Sequence, residues 1–306
     1  MLPTGEQHLL RRDGALGEVK AVVAELAAGL RSLSVGGPDL VQRYPDDRIA
    51  PYAAGIVLVP WPNRVADATW TLDGATQRLD VTEPATGNAS HGLLRNTGYS
   101  VTDREEHAIT LSATVFPQHG YPFLLQTSVR YELDDEGLTV THGIVNAGDG
   151  RAPVAIGAHP YLRAGASSVD DLQIVVAADT RFEMDERHIP TVTRPVDGTD
   201  VDLRSGARAG DLAIDVCLTD LALIDGRYRH RLAAPDGVTT ELWAEEDFAY
   251  TQVFTRPGFP GPDGEELAVA IEPMTAPANA LNTGEGLRFL EPGEEWLATW
   301  GIRRLN

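Results

Sequence analysis

Lysine is almost missing from this 306-residue chain, since only Lys20 among its 25 cationic residues is a lysine, against 45 acidic residues. The resulting formal charge of −20 repels a phosphate backbone and an anionic membrane surface, which argues against nucleic-acid and lipid partners. Schiff-base or pyridoxal chemistry would have to rest on Lys20 alone. Cysteine is equally scarce. Cys217 has no second cysteine to pair with and cannot build a thiolate zinc or iron–sulfur site. Long apolar runs are lacking too: the most apolar stretch, residues 52–61, is about half the length of a membrane helix. The start Met-Leu-Pro-Thr-Gly-Glu-Gln has neither the basic residues nor the apolar core of a signal peptide. A soluble, cytoplasmic protein is expected. There is no G-x-S-x-G, no H-E-x-x-H, no P-loop and no strand-linked G-x-G-x-x-G, and the eight histidines are scattered. Neither a metal nor a cofactor is expected.

What the chain does have is turns. Seven Asp-Gly dipeptides begin at Asp13, Asp73, Asp149, Asp197, Asp225, Asp236 and Asp263, and Asp-Gly supplies the positive φ angles of tight hairpins. Alternating apolar residues flank several of them, the mark of half-buried strands. Val129, Tyr131 and Leu133 lead into Asp-Asp-Glu-Gly, and Leu138, Val140, His142 and Ile144 lead out. Residues 221–243 read as a three-strand meander, and 109–115, 172–176 and 296–302 as further strands. The pattern predicts an all-β protein of mostly antiparallel strands, one large domain over residues 1–306. Residues 18–33 resist this reading. Their helix formers, with apolar residues three and four apart, favour a helix taken alone, while two short strands around Gly29 remain open.

Five segments could carry chemistry. Pro60-Trp61-Pro62-Asn63-Arg64 is a stiff loop with a fan of donors, or a rigid turn with a structural arginine. Ser90-His91-Gly92 lets backbone approach a ligand closely, or is an exposed loop histidine. In Val154–Leu162 an apolar strand ends at His159-Pro160-Tyr161, where a histidine held by neighbours suits acid–base work as well as a core hydrogen bond. Asp215 sits among apolar residues and needs partners if buried. Residues 267–271 lead to Glu272-Pro273, and a carboxyl at the end of a buried strand has a raised pKa and can act as a general base.

Taken together and in this order, Asn63-Arg64, His91-Gly92, His159-Pro160-Tyr161, Asp215 and Glu272-Pro273 resemble the aldose 1-epimerase (galactose mutarotase) family, in a bacterial form. Phe248–Thr255 resembles the family segment whose aromatic packs on the sugar, here Phe254, and Ala278-Asn279-Ala280-Leu281-Asn282 resembles its run after the glutamate. The resemblance covers residues 10–303. It implies a galactose mutarotase-like β-supersandwich, with strands at 18–33, and a free aldose such as glucose or galactose as partner. It also implies that Glu272 takes the proton of the anomeric hydroxyl while His159 protonates the ring oxygen, with His91, Arg64, Asn63, Asp215 and Phe254 holding the sugar. Ring opening needs one proton removed and one delivered, so one base and one acid suffice, each worth about 10²–10⁴-fold in rate. Glu-Pro-Met and His-Pro-Tyr depart from the family's usual Glu-Pro-Gln and His-Ser-Tyr, which leaves the preferred sugar open. The sugar-phosphate branch carries a Gly-Gly-Ile-Pro-type stretch where this chain has Asn-Arg, so an unphosphorylated sugar is expected. Two other functions fit the same residues: a non-catalytic sugar sensor, and a glycoside hydrolase using Asp215 and Glu272 as paired carboxylates.

Overall fold

The computed structural model describes residues 1–305, and nearly every regular element is a strand. The short helix Ala280–Thr283 and four single 3-10 turns are the exceptions among the described residues. No helix among them is long and apolar enough to cross a membrane.

Two large antiparallel sheets share one core. The nine-stranded sheet runs from Ala207–Arg208 through Gln173–Val176, Tyr228–Ala233, Thr239–Ala244, Glu295–Leu305, Gly137–Asn146, Leu125–Leu133 and Ala108–Val115 to Ser100–Arg104. The eight-stranded sheet has the order Pro190–Pro195, Ala178–Met184, Asp215–Leu221, Tyr250–Gly261, Gly264–Met274, Gly157–Ala158 and Val57–Leu58, with Tyr161–Leu162 also on Gly264–Met274. Val129, Val140, Leu242 and Ile302 from the first sheet and Val216, Leu218, Val253 and Ile271 from the second belong to one apolar cluster. Side chains alternate along a strand. With Val216, Val253 and Ile271 turned into the core, Asp215, Cys217, Gln252, Phe254 and Glu272 face the opposite side. Loops cover that side, which is why Ala268–Met274 is buried throughout and reads as an apolar run instead of an alternation.

The hairpin across Asp134–Glu136 forms as the sequence indicates, with Leu133 opposite Leu138. Asp73-Gly74 and Asp225-Gly226 make tight turns with positive φ at both residues. Three expectations are corrected. Asp13-Gly14 lies within a strand, Gly14 pairing with Gly17, so Ala15 and Leu16 form that turn. Residues 221–243 are not a meander: Asp215–Leu221 lies in the eight-stranded sheet and the hairpin Tyr228–Ala233/Thr239–Ala244 in the other. Local alternation says that a segment is a strand, but not which sheet takes it. Residues 18–33 are not helical; they form the strands Gly17–Ala24 and Leu30–Val35. Val19, Ala21 and Val23 are fully buried at period 2, and this tertiary burial outweighs the helical propensity of the Ala and Glu residues. The connection between the strands places Ala27 and Ala28 at φ 54° and 46°, a conformation no alanine advertises.

One buried charge ties three strands of the nine-stranded sheet together. Glu241, whose side chain is 0% exposed, accepts from Arg229 Nη1 and Arg303 Nη2 at 2.8 Å and from Arg231 Nε at 3.0 Å. Burial pushes its carboxyl up, and the hydrogen bonds from Arg303 and Arg231 more than offset this, leaving the pKa below the ordinary value. Removing the carboxylate leaves three guanidinium groups facing one another. Glu241→Ala is therefore expected to cost about 3 kcal/mol in denaturant unfolding, with the midpoint lowered and the slope unchanged.

Candidate active site

The exposed face of the eight-stranded sheet carries a cleft of about 420 Å³. All seven residues singled out in the sequence line it: Asn63, Arg64, His91, His159, Asp215, Phe254 and Glu272.

Its floor is set by one ladder. Gly157 pairs with Met274 and Tyr161 with Ala270, so His159 lies directly opposite Glu272, two residues from each pairing. Pro160 and Pro273 have no N–H to give, which interrupts the ladder on both strands beside this pair. Directly opposed side chains meet: His159 Nε2 is 3.3 Å from Glu272 Oε1, with side-chain exposures of 6% and 3%. The His159 backbone is held on its other edge, its N–H donating to Ile56 O at 3.1 Å and its carbonyl accepting from Gly55 at 2.8 Å. Its ring stacks on Tyr161, with centroids 5.2 Å apart.

Two loops wall this floor. His91 N–H donates to Asn63 O at 2.8 Å and Leu93 N–H to Val59 O at 2.9 Å. His91 itself has φ 64°, a strained conformation of the kind that gathers at functional sites. Gly92, at φ 73°, has no alternative, because a Cβ there would stand 2.0 Å from Val59 O. The two imidazoles of His91 and His159 meet edge to face at 5.4 Å. Arg64 is gripped by both oxygens of Glu83, at 2.7 and 3.0 Å, and donates to Asn63 Oδ1 at 3.3 Å. Asn63 in turn donates to Gln252, and Gln252 to Asp215. Asp215 also faces His188 Nδ1 at 3.4 Å and Arg64 Nη1 at 4.0 Å.

Burial sets the protonation. Desolvation, with the nearby Asp215 charge, raises the Glu272 carboxyl well above its ordinary value, against a smaller opposing pull from Arg64. Desolvation pushes His159 down to about 3. His91 is likewise lowered, by burial first and then by His159, Arg95 and Arg64. The floor thus presents two neutral imidazoles and a protonated carboxyl. His91 Nδ1, His159 Nδ1 and Glu272 Oε2 are buried with no hydrogen-bond partner among the described residues.

The family model for aldose 1-epimerase matches residues 14–303. The chain belongs to that family. Aldose 1-epimerases are isomerases, and membership implies a sugar ligand. The uncharacterized protein YihR of Escherichia coli K12 is 30% identical over 287 residues, 92% of this chain and 88% of that protein. Rat galactose mutarotase is 33% identical over 165 residues, 51% of this chain and 46% of the rat protein. Among solved structures, a GalM/aldose epimerase homologue from C. elegans superposes with a TM-score of 0.84 at 19% identity, covering 98% of this chain and 99% of that one. A galactose mutarotase-like protein from Clostridium acetobutylicum gives 0.81 at 17%, covering 94% and 93%. The fold is the all-β, galactose mutarotase-like sandwich.

Further cleft residues went unmarked in the sequence. Gln252 stands two positions from Phe254 and shares its face by alternation alone, a signal that was there to use. Glu83, Arg95 and Tyr52 also line the cleft, but they come from loops without any periodicity to flag them.

Gly92→Ala puts a methyl where the Val59 carbonyl stands. It is expected to lower stability by more than about 1 kcal/mol and to displace His91, read as a reduced melting temperature together with altered His91 imidazole resonances in NMR.

Proposed function

We propose that the protein interconverts the α and β anomers of a free hexose, with Glu272 as general base and His159 as general acid. The observation that carries this reading is the 3.3 Å approach of His159 Nε2 to Glu272 Oε1 at the buried floor of the cleft. The two oxygens that exchange protons in mutarotation, the anomeric hydroxyl and the ring oxygen, are bonded to the same carbon. Their proton partners must therefore be neighbours, and here they are.

The proton balance follows. With a cyclic sugar bound, the pair holds one proton on His159. Glu272 takes the proton of the anomeric hydroxyl as His159 delivers its own to the ring oxygen, and the C1–ring-oxygen bond breaks to give the aldehyde. The pair then stands as a protonated carboxyl and a neutral imidazole. That is the distribution burial favours, so desolvation stabilises the site in the form that accompanies the open chain. After rotation about C1–C2 the same two transfers run backward onto the other face. Neutral His91 would donate near the ring oxygen. Arg64, fixed by Glu83, would grip hydroxyls together with Asn63 and Asp215, and Phe254 would give a flat apolar surface to the C–H face of the ring.

A sensor needs no proton-transfer pair, and in Asp215 the oxygens are already engaged by Gln252 and His188, which leaves a two-carboxylate hydrolase without support. Glu272→Gln and His159→Gln are each expected to lower catalysed mutarotation about 10²–10⁴-fold with melting temperatures within a few degrees of wild type. Polarimetry on freshly dissolved α-glucose and α-galactose measures this, and wild-type protein that adds nothing to the spontaneous rate of any aldose would leave the sensor reading in its place.

The pH dependence follows from the same pair. Activity requires one shared proton. Raised Glu272 loses that proton only well above the ordinary carboxylate range, and lowered His159 gains a second one only near pH 3. The profile of kcat/KM is expected to fall on both sides of this window, and Glu272→Gln is expected to abolish the alkaline limb of whatever activity remains. A profile flat through the alkaline limb in wild-type protein would contradict the assignment.

A further inference from the structure

The cleft does not end at Asp215 and Phe254. These residues are cross-strand partners, and on their far side a second cavity of about 620 Å³ opens, with both side chains lining it as well. Within one strand, Phe254 stands one pleat repeat beyond Gln252, which pairs with Glu272. That is roughly 7 Å, about the width of a sugar ring. A hexose with its anomeric carbon at His159 and Glu272 would bring its opposite edge to this ridge.

The second cavity is a built feature of the sheet. Pro257 and Gly258 stand opposite Leu267 alone, because the register shifts between Arg256 and Phe259. This bulge bends the hairpin and forms the far wall, and bulges are frequent beside active sites for that reason. Leu212, Ile214, Pro257 and Leu267 give an apolar lining, rimmed by the carboxylates of Asp170, Glu265 and Glu266. Only Glu266 among these three has a cation within 4 Å among the described residues, Arg163 at 2.7 Å. An apolar floor with hydrogen-bond acceptors at its edge suits the C–H face and hydroxyls of a sugar, while the excess of carboxylates repels a phosphate or a uronate.

We propose that the cleft and this cavity form one elongated site for a reducing disaccharide, the reacting ring lying over His159 and Glu272 and its glycosyl substituent lying beyond Asp215 and Phe254. The proposal rests on the mutarotase reading of the cleft. The second ring contributes binding through contacts remote from the reacting carbon, and its loss is read in kcat/KM.

Ala213 is exposed on the wall of the second cavity, so Ala213→Trp fills it without touching the core. Polarimetry compares the preferred hexose with reducing disaccharides built on it through 1→4 and 1→6 links; for glucose these include maltose, lactose and melibiose. At least one disaccharide is expected to match or exceed its hexose in kcat/KM, and Ala213→Trp is expected to lower that value at least tenfold while leaving the hexose within twofold. Disaccharides all more than tenfold poorer than the hexose, or a variant that depresses both alike, would overturn the elongated site and leave the mutarotase reading standing. Acceleration of no sugar at all removes the mutarotase reading, and calorimetric titration then decides the cavity. Tighter binding of a disaccharide than of its hexose, lost in Ala213→Trp, supports the site; equal or absent binding overturns it.

Discussion

Keeping an imidazole and a carboxyl against each other out of water is the constraint on which the rest of this molecule depends. Either group alone would be costly to bury, and an ionised one more so. The fold meets the cost by placing both on one antiparallel ladder, in register, so that each is the other's nearest polar neighbour. Two prolines then prevent regular pairing from closing over them. Both sheets serve this arrangement: the core behind Ile271 and Val253 fixes the strand, and the loops at Asn63 and His91 fix what stands in front. A slip of one residue in the Gly264–Met274 strand would turn Glu272 into the core, so the pair is only as stable as the register itself.

The charge of the chain takes on a local meaning at the cleft. In a protein with 45 acidic residues, the cations there are held in place rather than left free. Arg64 is locked by two hydrogen bonds from one carboxylate, and the chain Arg64–Asn63–Gln252–Asp215 carries that order across to the neighbouring strand. Such a network fixes donor positions before a ligand arrives, which lowers the entropy cost of binding. A neutral, hydroxyl-rich ligand answers fixed donors and acceptors better than it answers bulk charge.

Much of this was legible in the sequence, and the limits have physical causes. Strand content followed from alternation and Asp-Gly turns. Residues 18–33 misled because alanine serves equally on a helix and on the buried face of a strand, and only the partners that bury Val19, Ala21 and Val23 decide between them. The division of residues 221–243 between two sheets was invisible because no local pattern encodes the destination of a strand. At the site, His159 and Glu272 stood out through the prolines after them, and resemblance to the family supplied their pairing, which spacing alone could not. Glu83 could not have been found that way, since its importance lies wholly in the distant arginine it holds.

The single thiol closes the account in different terms. Cys217 lies in the same cross-strand row as Gln252 and Glu272, fully buried, with burial holding its thiol protonated. A labelling reagent reaches it only when the strands under the catalytic pair come apart. In a chain with no other cysteine, its rate of modification reports the opening free energy of that one patch of sheet, separately from the unfolding of the whole molecule.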